Sequence, residues 1–128
     1  MPSLKQDVIL QIEGNLKAFL KRRAVPGRRQ LKPEGVLLTT FPGITQIARD
    51  RWGEQWYWAF THLSARGLFE ERFPVSNVEV EAHGNVLTAI SFLHGLAAEE
   101  LREQELERRK PGYEVVITVR AVKPGAVT

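Results

Sequence analysis

The chain has 128 residues, 43% of them hydrophobic and 26% charged, a balance that supports one packed core and argues against a disordered tail. It carries no cysteine, which excludes a disulfide framework and a cysteine nucleophile and leaves only histidine and carboxylates as metal ligands. Its net charge of +3 is modest and unevenly spread: residues 1–64 hold ten Lys/Arg against five Asp/Glu, and residues 65–128 eight against ten.

The first predicted element is an amphipathic helix over residues 4–23, because Leu4, Val8, Ile12, Leu16, Phe19 and Leu20 recur at helical spacing. Ser3 and Gln6 stand where a capping box begins such a helix, and Pro26 and Gly27 break it. From the end of this helix into the next loop run seven cations with no acid among them: Lys17, Lys21, Arg22, Arg23, Arg28, Arg29 and Lys32. A polyanion or an acidic protein surface finds its best contact there, and the plainer alternative is a solvated helix end.

Residues 36–40, Val-Leu-Leu-Thr-Thr, read as a short strand ended by Pro42 and Gly43. Two helices follow, over 44–52 and 54–65, with Gly53 between them and Gly67 after them. Trp52, Trp56 and Phe60 share one face, while Tyr57 and Trp58 point elsewhere. Residues 68–73 and 78–82 suggest a hairpin with its tip at 74–77, since Pro and Asn suit a turn. Asn85 is placed to cap a long helix reaching about residue 110, with Val86, Ile90, Leu93, Ala97 and Leu101 inward. Residues 113–120 give the strongest strand signal, and the tail from Ala121 onward is expected to fray.

The stretch ITQIARDRWGEQWYWAFTHLSARGLFEERF, in this order of elements, resembles the winged helix-turn-helix superfamily. Ile44, Ile47 and Ala48 match its first helix, Gly53 its turn, and the segment from His62 to Glu71 the end of its recognition helix. The resemblance covers residues 4–82 and implies that helix 54–66 would read duplex DNA, with a wing at 74–77. Gln55, Tyr57, Thr61, His62 and Arg66 would face the bases, and the seven cations between Lys17 and Lys32 would contact phosphates. The chain departs from the family pattern in placing its glycine five residues after Ala48, and in bringing one firm cation to that helix.

His62, His83 and His94 are far apart and no HExxH spacing, P-loop or dinucleotide fingerprint occurs, so neither metal, cofactor nor enzymatic chemistry is expected. The longest uncharged stretch, residues 82–98, holds two His, an Asn and two Gly and is poorly suited to crossing a bilayer. With no signal-peptide pattern at its start, the chain is expected to be cytoplasmic, in a host cell if viral.

The resulting expectation is a single α+β domain. A winged-helix-like core at 4–82 is followed by a helix-strand extension at 83–122 that pairs two copies through Ile90, Phe92 and Leu96. Its function is expected to be binding: a small transcriptional regulator on duplex DNA, or an interaction protein docking on a larger protein complex.

Overall fold

The computed structural model describes residues 8–11, 31–45, 49 and 59–126, and over these the chain is α+β. Four strands, β1 (Val8–Gln11), β2 (Val36–Pro42), β3 (Val78–His83) and β4 (Val116–Val122), form one sheet in the order β1-β2-β4-β3. Strand β4 is antiparallel to both neighbours, with Val119 opposite Thr39 on one side and Val80 on the other, and β1 joins β2 in parallel.

Alternation decides which face of the sheet is covered. Leu37, Phe41, Ile117, Val119, Ala121 and Val78 point to one side and are buried, while Leu38, Thr40, Glu79, Glu81 and Arg120 on the other are exposed. Helix α1 (His62–Glu70) closes the apolar side with Ala65 and Phe69, four residues apart, both fully buried. Phe69 meets Phe41 edge-on at 6.1 Å and stacks on Phe73 at 6.2 Å, and Phe60 lies 4.4 Å from Phe41. After α1 come helix α2 (Val86–His94) and the short helix α3 (Glu103–Glu107).

Several expectations are corrected. Within the helix expected over 4–23, residues 8–11 form a strand; Val-Ile-Leu suits a ladder, and the edge of β2 offers the hydrogen bonds. The rest of that span, most of 44–52, and 54–58 lie outside the described residues. Helix 54–66 is not one helix: residues 59–61 are non-helical, and Thr61 starts α1. The Thr61 hydroxyl accepts from Ser64 N–H at 3.2 Å, and Ser64 Oγ accepts from Thr61 N–H at 2.9 Å, a local box that defines a start regardless of what precedes it.

Gly67 does not stop the helix, because burial of Ala65 and Phe69 outweighs its roughly 1 kcal/mol propensity cost. Residues 68–70 are therefore helical, and the expected hairpin with a wing at 74–77 is not formed. Instead Val75–Asn77 make a 3-10 turn leading into β3, whose partner is β4, and Asn77 Nδ2 donates to Val122 O at 2.9 Å.

The long helix expected over 85–110 is broken. Asn85 caps α2 as anticipated, accepting from Thr88 N–H at 3.0 Å. Gly95 then adopts a left-handed conformation (φ 76°), and Leu96 N–H donates back to Ser91 O at 3.0 Å, ending the helix. The terminal strand begins three residues after the start expected for it and runs two beyond the expected end. Ala121 is fully buried rather than frayed, and Lys123 exchanges backbone bonds with Glu34 and Gly35.

Candidate interaction surface

Helix α2 has Thr88, Ser91 and His94 as its polar side chains and none that is an acid, a lysine or an arginine. Its sequence is VLTAISFLH, and no Lys, Arg, Asp or Glu occurs anywhere from Ala82 to Ala98. A helix with large apolar residues on more than one side belongs against other surfaces, yet only Ala89 and Ser91 of α2 are buried. Val86, Leu87, Ile90 and Leu93 stand on one solvent-facing stripe, between 36% and 58% exposed. Phe92 projects from the far side, two residues on from Ile90 and therefore about 160° round the helix, and is 49% exposed. Leu96, just past the Gly95 cap, is 47% exposed.

Of the residues expected at a protein contact, Ile90, Phe92 and Leu96 are thus solvent-facing. The stripe expected inward is thereby corrected: Val86, Ile90, Leu93 and Ala97 are all solvent-facing, because α2 stands off the sheet instead of lying on it. The sequence held a signal for this: a helix without a charge on any face has no designated solvent side.

The amino end of α2 is tied to a cationic loop. Asn85 Nδ2 donates to Glu105 O at 2.8 Å and to Arg108 O at 2.6 Å, and Lys110 N–H donates to Gly84 O at 2.9 Å. A groove of about 630 Å³ results, in which Val86 and Leu87 lie beside Arg102, Arg108, Arg109 and Lys110. Arg102 forms an exposed ion pair with Glu105 at 2.7 Å; this hydrogen bond holds the Glu105 carboxyl below the usual glutamate range and raises the guanidinium. At the other end of α2, Glu99 and Glu100 are both exposed, and Glu100 accepts from Ala97 N–H at 2.7 Å.

Two glycines let the chain pass back over this region. A Cβ on Gly84, whose φ is +143°, would collide with Tyr113 O, and one on Gly43 would collide with Glu114 O. This brings Glu114 to the start of α1, where its Oε2 accepts from His62 N–H at 2.9 Å and its Oε1 pairs with His62 Nδ1.

The residues expected to read bases are dispersed. Thr61 spends its hydroxyl on the α1 cap, His62 is held by Glu114, and Arg66 reaches Glu70 at 3.5 Å. Gln55 and Tyr57 lie outside the described residues, as do Lys17, Lys21, Arg22, Arg23, Arg28 and Arg29. Lys32 is exposed in the turn before β2, where its carbonyl accepts from Gly35 N–H at 2.9 Å.

The open sheet face is polar, with Arg120–Glu79 at 3.5 Å, Arg109–Glu81 at 3.0 Å and His83–Thr118 at 3.1 Å. Among the described residues no cluster of three His or carboxylate groups is placed to hold a metal ion, and no helix is long and apolar enough to cross a membrane. No protein-family model matches the sequence, and neither does a curated protein or a solved structure.

Proposed function

We propose that this chain is a non-enzymatic interaction protein that docks on a larger protein complex through α2. The observation that carries this reading is the exposed apolar stripe of Val86, Leu87, Ile90 and Leu93 on a helix with no charged face. Such a stripe lowers solubility in an isolated domain and is retained where it is covered by another surface. Helix α1, of the same length, by contrast turns Ala65 and Phe69 into the core, ties His62 and Arg66 to Glu114 and Glu70, and leaves Leu63 as its one largely exposed large apolar side chain.

A photo-reactive residue at Leu93, with a control at Glu79 on the polar sheet face, tests the reading in cell extract. Discrete protein adducts from position 93 and none from 79 are expected. Equal or absent adduct formation at the two positions would overturn the docking role of α2.

Duplex DNA is the second reading, and it rests on the seven cations from Lys17 to Lys32 with no intervening acid. Mobility of random-sequence duplex across a salt series tests it. Replacing Arg22, Arg23, Arg28 and Arg29 together should weaken binding to all sequences alike and flatten the salt slope by up to about 0.9 for each phosphate no longer neutralised. An unchanged slope removes this stretch from any DNA interface.

A further inference from the structure

Given the reading of α2 as a docking surface, on which this inference rests, we infer that one occupant of its stripe is the α2 of a second copy of this chain, packed antiparallel about a two-fold axis. The first argument is charge. The seam itself holds no Lys, Arg, Asp or Glu, so two copies meet there without like-charge repulsion.

The ends of the helix carry opposite signs. Arg108 and Lys110 stand at its amino end around Val86 and Leu87, where Arg102 and Arg109 are already paired with Glu105 and Glu81, and Glu99 and Glu100 follow its carboxyl end. For an isolated helix this is the unfavourable polarity, since the amino end is already positive and the carboxyl end negative. An antiparallel partner reverses the mismatch at both ends at once: its Glu99 approaches the cationic loop, and its Arg108 approaches the acidic turn. A parallel pair would set like ends together. Two-fold pairing is also the commonest way for a soluble chain to cover a patch of its own surface.

The second argument is area. A large apolar side chain removes about 100 Å² from water on full burial. Val86, Leu87, Ile90, Leu93 and Leu96, each near half exposure, then offer roughly 250 Å² per copy. Doubled, and with apolar atoms making up about 60% of a contact, the interface buries on the order of 800 Å². That is the size of a weak, reversible association rather than an obligate one. A dimer that forms in the micromolar range or above is therefore expected, and Phe92, on the far side of the helix, stays available to another protein.

Sedimentation equilibrium of the purified full chain, from about 1 to 500 μM, tests the inference. The mass should rise from 14.5 kDa toward twice that value with concentration. Ile90→Glu should hold it at the monomer mass with unchanged far-ultraviolet circular dichroism.

Charge exchange tests the orientation without touching the seam. Glu99→Lys and Arg108→Glu should each weaken self-association at least threefold at low salt, and an equimolar mixture of the two should restore it, because every cross-copy contact then pairs opposite charges. A mass of 14.5 kDa at all concentrations overturns the dimer. Adducts from Leu93 to a different protein would in that case leave the docking role standing. A dimer indifferent to Ile90→Glu, or not restored by the mixture, overturns the antiparallel seam.

Discussion

Replacing Phe69 by Ala tests whether α1 anchors the covered face of the sheet. Phe69 is fully buried and touches Phe41 edge-on and Phe73 face-on, at centroid separations of 6.1 and 6.2 Å. Truncation removes the ring's transfer free energy and both aromatic contacts and leaves a cavity, for a total of about 3–5 kcal/mol. At about 0.05–0.15 kcal/mol per residue the whole chain has about 6–19 kcal/mol of stability, so the variant remains folded but much weakened. With a urea slope of about 1.5–2 kcal/mol per molar, the midpoint should fall by roughly 2–3 M. Leu63→Ala is the control: Leu63 is on the same helix and 67% exposed, and its truncation should change stability by less than about 0.5 kcal/mol. A Phe69→Ala midpoint within about 0.5 M of the parent would refute the packing of α1 on β3 and β4.

Other perturbations check separate links. Thr61→Ala should cost about 1 kcal/mol by removing the α1 cap, and Thr61→Ser should restore most of it in the same urea titration. Gly67→Ala should stabilise by about 1 kcal/mol, since nothing lies within 4 Å of an added Cβ on that helical residue. Gly84→Ala, at φ +143° and against the Tyr113 carbonyl, should destabilise by more than about 1 kcal/mol; equal effects at the two glycines would contradict the assigned backbone. Thr39→Val should raise stability by about 1 kcal/mol, because the buried Thr39 hydroxyl has no partner among the described residues. Glu105 should titrate below the ordinary glutamate range by carboxyl-carbon chemical shift and return to it in Arg102→Ala. Its folded pKa is depressed, so the pair's contribution is present above the unfolded pKa and fades as pH falls through the folded one.

The elements legible from residue order are those that neighbouring residues decide among themselves. Residues 36–40, rich in β-branched side chains, and residues 78–82, which alternate, are in β2 and β3, since strand propensity and a strand's two faces are local properties. Asn85 caps α2 because its side chain needs only the amide three residues on. Phe92 and Leu96 were readable as standing off the expected inward stripe, and both are exposed, but so are Val86, Ile90 and Leu93 of that stripe. Tertiary structure decided what depends on partners far along the chain. β3 passes over its nearest upstream segment and pairs with β4, because Ile117, Val119 and Ala121 complete the buried face and β4 can pair on both edges. Residues 8–11 carry a helical spacing and form a strand, because the free edge of β2 supplies hydrogen bonds that no local pattern encodes. Phe69 and Phe73 suit one face of a strand or of a helix; the packing of Ala65 and Phe69 against Phe41 and β4 selects the helix. Gly95 could have been crossed by a continuous helix, as Gly67 is. At Gly67 burial of the flanking residues sustains the helix, whereas at Gly95 the flanking Leu93, His94 and Leu96 are exposed, nothing opposes the left-handed turn, and the helix ends there.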